Sequence, residues 1–393
     1  MPPPASHIDV ITSRPTGSTA ARRSSKFRRT LSKNSRLGVA LLAIAQLRTS
    51  LEVQSGVSRK VTIALDAMGG DRGPDAVVPA ALSILERDDS VNLILVGLPD
   101  VLEQARRQAR DRYGSRLGFK PASEVVSMDE PPADALRRKK DSSLRVAIEL
   151  VKSGEADACV SSGNTGALMA TARYVLKTLP GIDRPAIISA VPGIEGPTYM
   201  LDLGANVGCT PEHLLQFALM GSVVAEDMLE IARPRVGLLN IGLEDIKGNE
   251  TVREAGELLA KSGLNYVGFV EGDGIFHADV DVVVSDGFVG NVALKTMEGV
   301  ARLISSFLKE EFRRSWFRGL QGLVAQSALE ALRGRVDPRR YNGASLVGLN
   351  GIVLKSHGSA DHFAFENAVK AAIVEARKGV PVQIGKLIEN RPH

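Results

Sequence analysis

Residues 61–112 read VTIALDAMGGDRGPDAVVPAALSILERDDSVNLILVGLPDVLEQARRQARDR, and this stretch decides the fold. Val61–Leu65 is a short apolar run that stops at a Gly-Gly-Asp turn. Pro74–Arg87 carries apolar residues at helical spacing, Val91–Val96 returns to a Val/Ile/Leu run, and Asp100–Arg112 is helical in period again. Strand, helix, strand, helix within so few residues predicts parallel strands joined by crossover helices, with helices on both faces of the sheet.

The same rhythm continues outward. Leu144–Ser153 reads as a helix, Ala158–Val160 as a buried strand and Thr165–Thr178 as a helix. Further strands are predicted at Ala186–Val191, Tyr199–Leu203, Arg235–Ile241, Tyr266–Val270 and Val280–Ser285, most of them followed by helices. No internal repeat and no linker is visible after residue 60, so residues 59–393 are expected to form a single α/β domain with a mostly parallel sheet.

Five of the apolar runs end in loops of Gly, Asn and Asp: IALDAMGGD (63–71), ACVSSGNTG (158–166), YMLDLGANVG (199–208), LLNIGLEDIKGNE (238–250) and VVVSDGFVGN (282–291). Ligands of open α/β sheets bind where loops leave the carboxyl ends of the strands, so the five loops are expected to build one composite site.

The segment 299–334, GVARLISSFLKEEFRRSWFRGLQGLVAQSALEALRG, breaks the rhythm. It predicts a protruding helical hairpin at about 300–340. Two settings suit it: packing on itself or on a second subunit, and an interfacial position with Trp316 and Phe317 against anionic lipid.

Composition narrows the function classes. With 44% hydrophobic and 24% charged residues over 393, the chain matches a globular protein and neither a disordered nor a membrane-spanning one. Cys159 and Cys209 have no CxxC spacing and no neighbouring His pair, which argues against a structural zinc or disulfide and for a reducing, cytoplasmic setting. The net charge of +4 hides two unlike pieces: residues 1–60 hold eleven Lys/Arg against two acids, while the remainder holds 38 against 43. Residues 1–58 are therefore expected to be a disordered basic extension. Three origins compete for it: a targeting segment, a nucleic-acid or membrane arm, and a start assigned too far upstream, with Val57 as the alternative initiation point. Its apolar stretch Leu37–Leu47 is shorter than the roughly 20 residues that span a bilayer.

The loops carry the chemistry. SSGNTGAL (161–168) resembles an anion cradle, in which Ser162, Gly163, Asn164, Thr165 and Gly166 present backbone N–H groups at a helix N-terminus. The competing account is a tight Gly turn with a Thr near the helix N-cap. The loop has neither the Walker A nor the GxGxxG pattern, so nothing supports a nucleotide, and a small oxyanion such as phosphate suits it better. Lys247 in LEDIKGNE offers a point charge for phosphate, or is simply solvated. Asp286, Gly287 and Asn291 of SDGFVGN should emerge from the same sheet edge as Lys247, with the Asn291 amide able to stabilise an oxyanion. His357 in KSHGSADH is a candidate ligand-orienting group or a structural histidine.

From Lys60 to about Lys378 the chain resembles the bacterial phosphate acyltransferases of phospholipid synthesis, the family called PlsX. The likeness is carried by ALDAMGGD, DALRRKKDSS, SSGNTGALM, GIDRPA, LDLGANV, PEHLLQFALMGS, RVGLLNIGLEDIKGNE, SDGFVGNVALKTMEG and NGASLVGLNGIVLKSHGS. It implies a Rossmann-like α/β/α homodimer that moves a long-chain acyl group from acyl carrier protein to inorganic phosphate without a cofactor or metal. The product, an acyl phosphate, would serve a membrane-associated glycerol-3-phosphate acyltransferase, with peripheral membrane contact through the hairpin and no role for nucleic acid. The resemblance also implies catalytic roles for Lys247 and Asn291. Asp202 and Asn206 of LDLGANV and Asn249 of KGNE are further candidates for phosphate or substrate binding. Residues 1–60 and the hairpin depart from the family pattern.

A thioester is already activated and phosphate is an anionic nucleophile, so the chemistry requires positioning and oxyanion stabilisation more than a nucleophilic triad. Covalent catalysis through Cys209 is a rival route. RRKK (137–140) and the cluster Arg313, Arg314 and Arg318 are candidate docks for an acidic carrier protein. An acyl-CoA-using phosphotransacetylase, an isocitrate-type dehydrogenase and a non-catalytic lipid-surface scaffold remain as alternatives.

Overall fold

The structure, a computed structural model, describes residues 60–393 apart from 111, 278, 315–324 and 391–393. The expectations for residues 1–59 and for Trp316, Phe317 and Arg318 lie outside the described residues.

The chain begins as the sequence predicts, with β1 (Val61–Asp66), α1 (Pro74–Arg87), β2 (Val91–Gly97), α2 (Pro99–Ala109) and β3 (Leu117–Pro121). Then come α3 (Pro132–Arg138), α4 (Ser143–Ser153), β4 (Ala158–Ser161), α5 (Thr165–Leu176), β5 (Ala186–Pro192) and β6 (Pro197–Leu201). The middle of the chain holds α6 (Pro211–Leu229), β7 (Arg235–Leu239), α7 (Glu250–Ala260), β8 (Asn265–Val270), β9 (Val282–Val284) and α8 (Gly287–Arg313). It closes with α9 (Gln326–Val336), β10 (Ala344–Val347), β11 (Ile352–Lys355), α10 (His362–Lys378) and α11 (Val380–Glu389).

The eleven strands form one sheet in the order β3-β2-β1-β4-β11-β10-β5-β6-β9-β7-β8. It is mixed α/β and mostly parallel, as expected, but three antiparallel pairings interrupt it. β10 runs antiparallel to both β11 and β5, and β5 runs antiparallel to β6. The set β3-β2-β1-β4-β11 therefore points opposite to the set β6-β9-β7-β8. The five glycine-rich loops do not leave one common edge, which corrects the expectation of a single row. Those after β1 and β4 belong to the first set, and those after β6, β7 and β9 to the second.

Strand alternation assigns the two faces. On β1, Val61, Ile63 and Leu65 turn to one face while Ala64 turns to the other, and all four are fully buried. Burying each of the larger side chains contributes about 1.5–3 kcal/mol. The first face packs α1, α2, α6, α7 and α10, where Phe365 and Phe217 are the largest wholly buried side chains. The second packs α3, α4 and α5, together with Ala293, Leu294 and Met297 of α8. Among the described residues no helix is long and apolar enough to cross a membrane.

Candidate active site

The first loop set gathers around the carboxyl end of β4. Asp66 closes β1, and its buried carboxylate accepts from Ser161 Oγ at 2.6 Å and from the Met68 N–H at 3.2 Å. Burial pushes this carboxyl up, and the hydrogen bonds from Ser161, Ser143 and the backbone at 68–69 pull against it. Ser161 Oγ accepts from the Gly163 N–H at 3.0 Å, and Ser162 Oγ donates to the Gly69 carbonyl at 2.7 Å. The β1 and β4 loops approach so closely that a Cβ on Gly69 would lie 2.6 Å from the Gly163 nitrogen.

Asn164 is the N-cap of α5, with Thr165 the first helical residue after it. Its Oδ1 accepts from the Ala167 N–H at 3.0 Å, while Nδ2 donates to the carbonyls of Ser127 (3.3 Å), Met128 (2.9 Å) and Glu130 (2.9 Å). The side chain is thus committed to building the loop, and Asn164 offers a ligand only its backbone. The N–H groups of Asn164, Thr165 and Gly166 have no acceptor among the described residues, so the first turn of α5 presents them outward.

β11 adds a neighbour to this cradle. The Ser356 N–H donates to the Ser161 carbonyl at 2.9 Å, the Asp71 N–H donates to the Gly358 carbonyl at 2.8 Å, and the His357 N–H donates to Asn342 Oδ1 at 2.9 Å. The exposed His357 ring sits with Nδ1 2.9 Å from Ser359 Oγ, and burial of its surroundings holds its pKa below the usual histidine value. Lys355, the last residue of β11, donates from Nζ to the carbonyl of Ser162 at 3.1 Å and to that of Ser356. Sequence reading passed over Lys355. Its signal was present, an apolar run ending in Lys-Ser-His-Gly, but the run is only three residues long.

The second loop set is assembled on Asp202, which is fully buried. Its Oδ1 accepts from the Ile187 and Ala205 N–H groups at 2.9 and 3.0 Å, and its Oδ2 accepts from the backbone and side-chain nitrogens of Asn206 at 2.7 and 2.9 Å. Asn206 Nδ2 also donates to the Pro185 carbonyl at 2.8 Å. These two residues shape the loop. Asn249 is similarly committed as N-cap of α7, accepting from the Val252 N–H at 2.9 Å.

Asp286 caps α8, accepting from the N–H groups of Phe288 at 2.8 Å and Cys209 at 3.0 Å. Burial pushes its carboxyl up, but these bonds win and hold it below the usual value. The first turn of α8 lies directly on the Asp202 loop, since a Cβ on Gly287 would sit 2.3 Å from the Asn206 carbonyl oxygen and one on Gly290 2.0 Å from that of Asp202. One turn in, Asn291 is exposed, packs against Gly204, and has no hydrogen-bond partner for its amide among the described residues. Lys247 is exposed in the loop after β7, beside Gly242, and its carbonyl accepts from Asn240 Nδ2 at 3.2 Å. β7 and β9 are parallel neighbours, so Lys247 and Asp286 do share a sheet edge. Cys209 is buried, and burial together with Asp286 pushes its thiol up to about 12.

The sets are linked by α8, which starts in the second. Its Lys295, Glu298 and Arg302 form an i, i+3, i+7 stripe, with Lys295 Nζ 3.0 Å from Glu298. All three act electrostatically on His357, and Lys295 also on Lys355, in the first set.

Comparison with known proteins agrees with this architecture. The family described as "Fatty acid synthesis protein" matches residues 61–383. A phosphate acyltransferase from Alkalilimnicola ehrlichii is 63% identical over 334 residues, covering 85% of this chain and 98% of the relative. One from Methylococcus capsulatus is 61% identical over 325 residues, covering 83% and 96%. Among solved structures, a phosphotransacetylase from Streptococcus pyogenes superposes with a TM-score of 0.55 at 18% identity, covering 81% of this chain and 94% of its own, a likeness of fold alone. The EutD phosphotransacetylase from Staphylococcus aureus behaves alike, with a TM-score of 0.54 at 17% identity over 81% and 94% of the two chains. An α/β sheet with these loops and this breadth of identity places the chain in the phosphate acyltransferase family, PlsX, of fatty acid and phospholipid synthesis.

Proposed function

We propose that this acyltransferase moves a long-chain acyl group from acyl carrier protein to inorganic phosphate, releasing acyl phosphate for a membrane-associated glycerol-3-phosphate acyltransferase. The observation that carries the reading is the pairing of two unsatisfied donor sets. One is the outward N–H row at Asn164, Thr165 and Gly166; the other is the unbonded Asn291 amide on the helix that links both loop sets. The first suits an anion and the second an oxyanion.

In the proposed reaction a phosphate oxygen attacks the thioester carbonyl carbon. Asn291 receives the tetrahedral oxyanion, the C–S bond breaks, and the carrier leaves as its thiol with the proton that hydrogenphosphate gives up. Lys247 neutralises phosphate charge during the approach, and the arrangement replaces a random encounter by a held one. A thiol pushed up to about 12 is a poor nucleophile at neutral pH, so Cys209 favours direct transfer over a covalent acyl-enzyme. We place the protein in the cytoplasm as a homodimer that touches the membrane peripherally. The exposed stripe Val289, Val292, Val300, Leu303 and Phe307 along α8 supports contact with a second copy.

Hydroxylamine-trapped acyl phosphate, formed from long-chain acyl carrier protein and phosphate, tests the reaction. Phosphate-dependent product is expected, with a loss of about 10²-fold in Lys247→Ala at unchanged folding. Folded protein that makes none from the carrier but does so from acyl-CoA would transfer the reading to a phosphotransacetylase.

A further inference from the structure

The inference deepens the acyl-transfer reading and rests on it. We propose that Lys355 is the positioning residue of the phosphate cradle: it clamps the Ser162 carbonyl so that the N–H groups of Asn164, Thr165 and Gly166 face the anion, and it gives the cradle its positive charge.

Three observations carry this. Lys355 ends β11 and reaches across to the β4 loop, where Nζ donates to the Ser162 carbonyl at 3.1 Å and to that of Ser356. Two of its three N–H bonds are therefore spent on carbonyls, and the third has no acceptor among the described residues. No carboxylate there forms an ion pair with it, so its charge is not cancelled by contact, whereas Lys295 nearby is paired with Glu298. Asp66 is already occupied by Ser161 and Met68. Lys247, by contrast, belongs to the loop set after β7, β9 and β6.

The charge has a limit in pH. Burial, and then Lys295, bring the ammonium down to about 8, while Asp66 and Asp71 pull the other way. The titratable groups acting with it are Asp66 and Asp71 from the β1 loop, Lys295 from α8 and His357 from its own loop, and Glu298 and Arg302 of α8 act on that His357. Above that pH the clamp keeps hydrogen-bond donors but loses its charge, so capture of phosphate weakens.

The test compares wild type, Lys355→Met and Lys355→Arg between pH 6.5 and 9.5. Lys355→Met is expected to raise the KM for phosphate about tenfold or more, the scale of one lost charged hydrogen bond, with the KM for acyl carrier protein little changed. Wild-type kcat/KM for phosphate is expected to fall above about pH 8. Lys355→Arg, which stays charged, should remove that fall. A purely structural lysine would change thermal stability without moving the alkaline limb. An unchanged phosphate KM in Lys355→Met, or an unchanged alkaline fall in Lys355→Arg, overturns the proposal. Should Lys355→Met fail to fold, the Lys355→Arg profile decides.

A donor-free arm separates this from the reaction itself. Inorganic phosphate should raise the Tm of the wild type and of Lys355→Arg but not of Lys355→Met. That result from a protein making no acyl phosphate would leave the cradle standing and remove acyl transfer. An equal rise in wild type and Lys355→Met, or none in any variant, overturns the cradle assignment even where acyl phosphate is made.

Discussion

Asn291 offers the most direct test at a single residue, because its amide has no hydrogen-bond partner among the described residues. Asn291→Ala is expected to lower kcat by about 10²- to 10³-fold with little change in either KM, measured in the hydroxylamine assay. Cys209→Ser should leave turnover within about twofold, since direct transfer needs no thiolate; a stalled variant that still folds would restore the covalent route. Both residues stood out in the sequence, Asn291 as an amide after Gly-Phe-Val-Gly and Cys209 as a thiol in ANVGCTPEH beside a site loop. Asp202, Asn206, Asn164 and Asn249 were legible as candidates for the site, but the hydrogen bonds they make within the loops were not. In sequence, a polar residue in a strand-end loop looks the same whether or not it satisfies backbone groups, and the hydrogen bonds of Asp202 and Asn164 show that these two do. Lys355 was missed for the converse reason: its neighbours in space, Ser162 and Asp66, are far from it in the chain.

At the scale of the element, α8 serves three environments at once. One face packs through Gly287, Gly290, Leu294 and Met297, a second carries Lys295, Glu298 and Arg302 toward β11, and the third exposes its apolar stripe. Gly290→Ala should destabilise the fold by about 1–3 kcal/mol in urea titrations, because the added methyl overlaps the Asp202 carbonyl. Phe307→Glu is expected to convert a dimer to monomer in sedimentation; a dimer that persists while vesicle binding drops would assign the stripe to lipid. β1, α1 and β2 were readable to within a residue, since their periods are pure and Pro74 marks a helix start, while the helix read at Asp100–Arg112 begins at Pro99 and ends at Ala109. β3, β10 and β11 were not. They are four or five residues long, and Gly118 and Lys120 interrupt the apolar pattern of β3. Strand direction is also absent from local sequence, so the antiparallel pairings of β10 and β5 inside the mostly parallel sheet went unread.

For the whole molecule, the seam at β10 couples stability to pH. Glu375 of α10 is buried beneath it, accepting from Ser345 Oγ at 2.8 Å, and burial pushes its carboxyl up to about 7. Unfolded, the same group ionises near the ordinary glutamate value of about 4.3. Between those limits the unfolded chain has released a proton that the folded chain keeps, so stability falls as pH rises through this window and levels off above it. The span is worth on the order of 3 kcal/mol. Urea midpoints from pH 5 to 8 should decline, and Glu375→Gln should flatten much of the decline. The order of the sheet has a further consequence for biosynthesis. β4 and β5 are consecutive in the chain yet separated in the sheet by β11 and β10, which a ribosome delivers almost last. Each half can pair its own strands early, but their facing borders stay open until residues 344–355 emerge. A nascent chain halted before Ala344 would thus present two unfilled strand edges to other chains, and a delay there invites aggregation.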